Sequence, residues 1–457
     1  MAPRLSSDEV SAALGRRLGG SVHDLRRLSG GASRITSSFD LHAGGAVRPL
    51  IFQQRRGDAT GPDHSATVEE ALLRAAQAAG VAVPAVVAFG SGGSLGPGAL
   101  VVERLEGETI PRKILRDPVW AAARSALTAD CGRALAAIHR IDPGSIAGLA
   151  PRDPLRHPLP FLDALGEVRP ALELGVRWLA ATRPAPGPTV TVHGDFRSGN
   201  LLVGPEGLRA VLDWELAHAG DPAEDIGWLC APAWRFGGTG EVGGFGNLDE
   251  LLAAYGAAGG GTIDPERVRW WQVYATVKWA TICALQASAH LSGTTRSVEL
   301  AAIGRRVCES EWDLCRLLGL APDAGPEAVP VPAPLPEAAP EEAGLFGRPT
   351  VAELVEAVRE YLEGRMAASE GGTRFEARVA RNALATVERQ LALGPALAAA
   401  HAARLHALGF ADDRQLAAAI RAGAFDRDWA VVGAALAAAA RDQLLVANPS
   451  YVPAAIE

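Results

Sequence analysis

A chain of 457 residues is long enough for two or three hydrophobic cores, and 48% apolar residues place it among folded rather than disordered chains. A net charge of −8 argues against a general nucleic-acid binder, and no apolar run approaches the ~18 residues of a membrane span. Five scattered cysteines (131, 230, 283, 308, 315) without a C-x-x-C pattern, and a start with no apolar signal segment, read as reduced thiols in a cytoplasmic protein with no zinc site.

The first hundred residues alternate short apolar runs with glycine turns. RPLIFQQR (48–55) reads as a strand, TVEEALLRAAQAAG (67–80) as a helix closed by Gly80, and AVPAVVAFG (82–90) and GALVVERLEG (98–107) as further strands. From about residue 118 the periodicity becomes helical, beginning with WAAARSALTADCGRALAAIHR. Two short apolar runs, VTVHGDF and LRAVLDW, interrupt it; long helical segments follow, among them RWWQVYATVKWA and ELAAIGRRVCESEWDLCRLLGL. The Pro/Ala/Glu tract at 321–343 cannot build a core and reads as a semi-extended linker. Beyond it, Thr350 and Glu353 match a capping box, an apolar stripe runs through Val351, Leu354, Val355, Val358 and Leu362, and Gly394-Pro395 reads as a break. The tail, 344–457, is expected to be a small all-α domain able to carry a protein partner or self-association.

The chemistry concentrates in TVHGDFRSGNLLV (191–203). Phosphoryl transfer needs a group to orient the attacking hydroxyl, an ion on the phosphates and a cation for the transferred charge. Asp195 can accept a hydroxyl proton, Asn200 can offer an amide oxygen to a metal, and Arg197 can reach a phosphate. Asp213, thirteen residues past Asn200, is a second hard oxygen ligand suited to Mg²⁺. Gly204-Pro205-Glu206-Gly207 supplies a hairpin turn that would set Asn200 and Asp213 side by side. His193 reads as a brace for this loop, Asp221 and Asp225 as stabilisers, and the Trp270–Trp271–Tyr274 cluster as core packing.

His193-Gly-Asp195-Phe-Arg197-Ser-Gly-Asn200, followed by a hairpin and Asp213-Trp-Glu215, resembles the aminoglycoside and choline phosphotransferase family. GDPAEDIGWL (220–229) is similar to the segment that follows its metal-binding Asp. The resemblance covers most of 20–320; AWRFGG, VGGFG and GRRVCESEWDL look like the subgroup related to kinase-like domains fused to some acyl-CoA dehydrogenases. It implies an α+β, protein-kinase-like fold of two lobes plus a small all-α C-terminal domain: an N-lobe over 20–105, a C-lobe over 106–320, the linker 321–343 and the helical domain 344–457. It further implies ATP and Mg²⁺ as cofactors, Asp195 as the base, Arg197 in the place of the catalytic-loop lysine of protein kinases, and Asn200 and Asp213 as metal ligands. LSGGASRITSSFDL (28–41) would cover the phosphates through Ser29, Gly30, Gly31 and Ser33, and backbone groups near Glu103 and Leu105 would meet the adenine. Trp234 and Arg235, on a glycine-flanked loop, are candidates for the substrate side.

One departure stands out. The strand position that carries a phosphate-holding Lys or Arg in the family is here Gln53. The chain's two lysines, Lys113 and Lys278, lie far from it in sequence. Arg55, two residues on and on the same strand face, could recover the contact. The helix Glu that pairs with this cation would be Glu69, or Glu70. The expected activity is phosphorylation of a hydroxyl on a small molecule, with a hydroxyacyl-CoA or similar metabolite favoured over an aminoglycoside. The alternative is a nucleotide-binding pseudokinase that acts as a regulatory or scaffold protein through its tail.

Overall fold

The computed structural model describes residues 6–28, 34–55, 66–90, 95, 98–321 and 349–451. In chain order these hold α1 (Ser7–Leu18), β1 (Ser21–Arg27), β2 (Arg34–Ala43), β3 (Ala46–Arg55), α2 (Ala66–Ala78), β4 (Val86–Gly90), β5 (Ala99–Glu103), α3 (Pro111–Arg116) and α4 (Ala121–His139). Then come α5 (Pro158–Leu165), α6 (Pro170–Ala181), β6 (Val190–Val192), β7 (Leu201–Gly204), β8 (Gly207–Val211), β9 (His218–Gly220), α7 (Ala223–Cys230), α8 (Leu248–Tyr255) and α9 (Pro265–Leu291). The remainder is helical: α10 (Val298–Ile303), α11 (Val307–Leu317), α12 (Val351–Ala367), α13 (Gly371–Ala407), α14 (Asp413–Arg421) and α15 (Ala430–Ala447).

The chain divides into two compact units, Met1–Asp153 with Pro184–Gln272, and Pro154–Arg183 with Val273–Glu457. These limits do not follow the sequence-based ones. In the first unit a five-stranded antiparallel sheet has the order β1-β2-β3-β5-β4. Its strands alternate as half-buried strands should: Phe39, Leu41, Leu50 and Phe52 point to one face, where Leu14 of α1 completes a core. The residues between them occupy the opposite face. Thr36 lies across from Gln53 and Arg34 across from Arg55, so Arg34, Thr36 and Gln53 share that second face.

The expected hairpin forms from β7 and β8, with Leu201 opposite Val211 and Gly204 opposite Gly207. Two further contacts fix it. Glu108, just past β5, exchanges backbone hydrogen bonds with Val203, both at 2.9 Å, and Asp130 of α4 accepts from the Leu208 N–H at 2.9 Å. The segment leaving the sheet is thereby tied to the hairpin that carries the catalytic motif.

In the second unit α6, α11, α14 and α15 share one core built from Leu174, Trp312, Leu416, Ile420, Leu436 and Leu444 among others. The tail helices α14 and α15 thus bury their apolar stripes against α6 and α11. A short amphipathic helix such as α14 gains most of its stability from a covered face. By length and hydropathy α15 could cross a membrane; here it is a core helix of this unit, with the buried Asp442 bonded to Arg404. The capping box of Thr350 and Glu353 is present at the start of α12. The stripe predicted there stays largely open, with Val351, Leu354 and Val358 at least half exposed. Gly394-Pro395 does not break the chain: α13 continues through Pro395, the packing of α13 on α12 and α15 outweighing the lost backbone bond.

Candidate active site

The segment that carries Asp195 leaves β6 and turns at Gly194. That residue has φ +77°, and a Cβ there would stand 2.3 Å from the Leu216 carbonyl oxygen, so the middle position of His-Gly-Asp admits only glycine. The loop hangs on Asp225 of α7. Its fully buried carboxylate accepts the backbone N–H groups of His193 at 2.7 Å and Gly194 at 2.8 Å, and His139 sits 3.2 Å away. Burial works to raise the pKa of Asp225, but the hydrogen bond from His139, the neighbouring histidines and the backbone donors hold it below the usual value.

His193 is a brace, as expected. Its Nδ1 accepts the Asp195 N–H at 3.2 Å, so Nε2 carries the proton and donates to the Leu212 carbonyl at 3.1 Å. Burial lowers its pKa, which keeps the ring neutral in this role. One imidazole thereby links the Asp195 loop to the residue just before Asp213.

Asp195 is held by three donors. Asn200 Nδ2 reaches its Oδ2 at 2.6 Å, Trp228 Nε1 its Oδ1 at 2.8 Å, and Arg197 Nε its two oxygens at 3.0 and 3.2 Å. These bonds fix the carboxylate in direction. Asn200 also donates to the Asp195 carbonyl at 3.0 Å, so its amide oxygen is the atom left to offer a cation. The guanidinium of Arg197 lies 4.7 Å from the centre of the Trp234 ring, which rests on Trp228 at 5.2 Å. Trp234, expected on the substrate side, is itself buried and supports Arg197 from behind. Arg235 donates to the Cys230 carbonyl at 3.2 Å.

Asp213 follows the hairpin, where the Leu212 N–H donates to the Asn200 carbonyl at 2.9 Å. It adopts φ +66°, a left-handed conformation that costs a non-glycine residue about 1–3 kcal/mol and is retained where the surroundings demand it. Its side chain is reached by solvent, yet much of the surrounding space is protein. That confinement, with the charges of Glu215 and Asp195, pushes its pKa up to about 7 against the pull of Arg34 and Arg197. A cation would relieve this crowding. Among the described residues no group of three or more His, Cys, Asp or Glu side chains could hold a metal. One carboxylate and one amide oxygen fit Mg²⁺, which takes few protein ligands and fills its shell with water and phosphate oxygens.

On the second face of the sheet stands a residue that the sequence reading passed over. Arg34, at the start of β2, is buried and donates through Nη2 to Glu69 of α2. Its Nε lies 3.4 Å from Glu215 and its Nη1 3.4 Å from the Gln53 side-chain oxygen. Burial works to lower its pKa, but Glu69, Glu215 and Asp213 together outweigh it, so the guanidinium is firmly charged. Glu69 is therefore the helix carboxylate that finds a cation, while Glu70 pairs with Arg74 at the surface. The signal for Arg34 was its even spacing with Thr36 in β2, which puts it on Gln53's face. Trp228 was likewise missed as a partner of Asp195, although it lies in the matched 220–229 segment.

Ser29, Gly30, Gly31, Ser33 and the side chain of Arg55 lie outside the described residues. Glu103 ends β5 and donates its N–H to the Ala85 carbonyl at 3.0 Å; Leu105 follows in the segment that reaches Glu108. Trp270 and Trp271 are core residues, their rings 4.9 Å apart, and Asp221 accepts from Arg267 and from the Ala223 N–H.

Residues 24–271 match the phosphotransferase enzyme family, and residues 367–451 match a domain of unknown function, DUF6285. Acyl-CoA dehydrogenase family member 10 of Mus musculus is 30% identical over 202 residues, 40% of this chain and 18% of that protein. Family member 11 of Homo sapiens is 27% identical over 213 residues, 42% of this chain and 27% of the other. The chain thus spans well under half the length of either relative. A solved structure classed as an aminoglycoside phosphotransferase, from Ralstonia eutropha, superposes with a TM-score of 0.53 at 19% identity. It covers 70% of this chain and 100% of its own, and the shared fold is kinase-like, a β-rich N-terminal part followed by a helical one.

Proposed function

We propose that this chain, which belongs to the phosphotransferase enzyme family, transfers the terminal phosphoryl group of Mg·ATP to a hydroxyl group of a small molecule. The observation that carries this reading is the Asp195 cluster, with a carboxylate aimed by three donors and Asn200 and Asp213 brought together by a hairpin. Asp195 takes the proton of the attacking hydroxyl. Asn200, Trp228 and Arg197 hold the carboxylate in place as the acceptor. Arg197, steadied by Asp195 and the Trp234 ring, offers its remaining N–H groups to the transferred phosphoryl group. Asn200 and Asp213 would hold Mg²⁺, which when bound neutralises phosphate charge and orients the nucleotide. Asp225 and His193 do not touch the reactants; they keep the loop in register.

The acceptors to try first are hydroxyacyl thioesters of coenzyme A, because the matched relatives are named for acyl-CoA dehydrogenation. The rival reading, a nucleotide-binding protein without catalysis, drew its support from Gln53. Arg34 beside Gln53 offers a cation on the same sheet face, which favours the catalytic reading.

The test incubates the full chain with Mg²⁺, γ-labelled ATP and pools of hydroxylated small molecules, comparing wild type with Asp195→Ala. Label should pass to an acid-stable product only with the wild type. Tight Mg·ATP binding by both proteins with no transfer to any pool would decide for the non-catalytic rival.

A further inference from the structure

In the family resemblance the phosphate-holding cation belongs on β3, where this chain has Gln53. On β2, one strand over, a buried arginine occupies the same face. Gln53 is paired with Thr36, and Arg34 stands two residues before Thr36, so the two side chains are diagonal neighbours. A glutamine offers a helix carboxylate and a phosphate no charge and only the two donors of one NH2 group. An arginine can serve both, because its guanidinium is charged and carries five N–H donors in a rigid fork.

The geometry around Arg34 is uneven in a way that matters. One edge is committed: Nη2 bonds Glu69, which fixes the plane of the fork. The other contacts, Nε to Glu215 and Nη1 to Gln53, are both 3.4 Å, beyond the 2.7–3.2 Å of a strong N–H···O bond. The loosely held Nε faces Glu215, two residues from Asp213, and Nη1 faces Gln53, so both lie beside the place where a nucleotide whose phosphates meet Asn200 and Asp213 would lie. Burial strengthens the need, because donors kept from water gain most from a charged acceptor.

Resting on the kinase reading above, we propose that Arg34, and not the β3 residue Gln53, is the cation that binds the nucleotide's phosphates. Glu69 orients it, and Gln53 seats the guanidinium by accepting from Nη1. The ion pair between sheet and helix that positions a nucleotide is retained, while its cation has moved from one strand to the next. Gln53 becomes intelligible as the partner of a displaced arginine.

Isothermal titration of the full chain with Mg·ATP and, separately, with adenosine tests this. Arg34→Gln should weaken Mg·ATP binding by about tenfold or more, the worth of one charged hydrogen bond, and leave adenosine unaffected. In turnover the same variant should raise the KM for ATP. Arg34→Gln combined with Gln53→Lys, which returns a cation to β3, should regain most of the lost affinity. If Arg34→Gln folds poorly because Glu69 is stranded, Arg34→Gln with Glu69→Gln removes both charges and should show the same selective loss. Mg·ATP affinity within about twofold of wild type in these variants, or an equal loss for adenosine, overturns the assignment. Failure of the wild type itself to take up Mg·ATP would sink the kinase reading and this assignment together. Wild-type binding with indifferent variants would sink this assignment alone.

Discussion

Arg34 in the first unit and Arg421 in the second each face several carboxylates, yet the two guanidinium groups are used differently. Arg421, at the end of α14, commits every nitrogen of its fork to a carboxylate. Nε donates to Glu173 at 2.9 Å, Nη1 and Nη2 to Asp163 at 3.0 and 2.8 Å, and Nη2 also meets Glu173. Those hydrogen bonds, Glu173 first and Asp163 next, raise its pKa strongly, and the result is a clamp that fastens α14 to α5 and α6. Arg34 has one firm bond and two slack ones, near Asp213, whose negative charge Glu215 and Asp195 disfavour. A cation whose nitrogens are all firmly bonded within the protein holds a fold together. One left half-engaged in a buried, anionic corner is positioned for something the chain itself does not supply.

The largest effect should come from the base. Asp195→Ala is expected to lower turnover about 10²–10⁴-fold, the usual contribution of a general base, with nucleotide affinity and melting temperature near wild type. Loss of folding in that variant would instead make Asp195 a structural residue of the same kind as Asp225. Next comes Arg34→Gln, which should separate binding from folding by weakening Mg·ATP and sparing adenosine.

Arg421→Ala should do the opposite. It leaves the buried Glu173 without its main donor, a cost of about 1–3 kcal/mol. Thermal unfolding should begin earlier while Mg·ATP affinity stays unchanged. A matching drop in nucleotide affinity would erase the distinction between clamp and working cation.

The smallest effect concerns Glu311 of α11. Burial raises its pKa above the ordinary 4.5, only partly opposed by Arg169, whose Nη1 is 3.8 Å away. A carboxyl raised in the folded state contributes stability below its unfolded pKa and loses it as pH climbs through the folded value. Melting temperature followed from pH 4 upward should therefore fall less steeply for Glu311→Gln than for wild type. Parallel profiles would mean that Arg169 already compensates the charge.

Much of the site was legible because it is local in sequence. His193 to Asn200, the Gly204–Gly207 turn and Asp213 lie within 21 residues, and a hairpin is enough to assemble them. Glu69 was preferred over Glu70 on the resemblance alone, since both fall on one turn of α2 and only the sheet decides which is buried. Arg34 was hidden for a similar reason. Its relation to Gln53 is a cross-strand register, set by the whole β2–β3 pairing rather than by any short motif. The association of α14 and α15 with α6 and α11 depends on contacts between residues about 100 or more positions apart, and the Pro/Ala/Glu tract between α11 and α14 suggested separation instead.

The most direct measurement is a crystal structure of the full chain with Mg²⁺ and a non-hydrolysable ATP analogue. The account predicts Arg34 still bonded to Glu69, with a second N–H of its guanidinium within about 3 Å of an α- or β-phosphate oxygen, and the ion between Asn200 and Asp213. Phosphates lying against Gln53 or Arg55, with Arg34 closed on Glu69 and Glu215 alone, would contradict it.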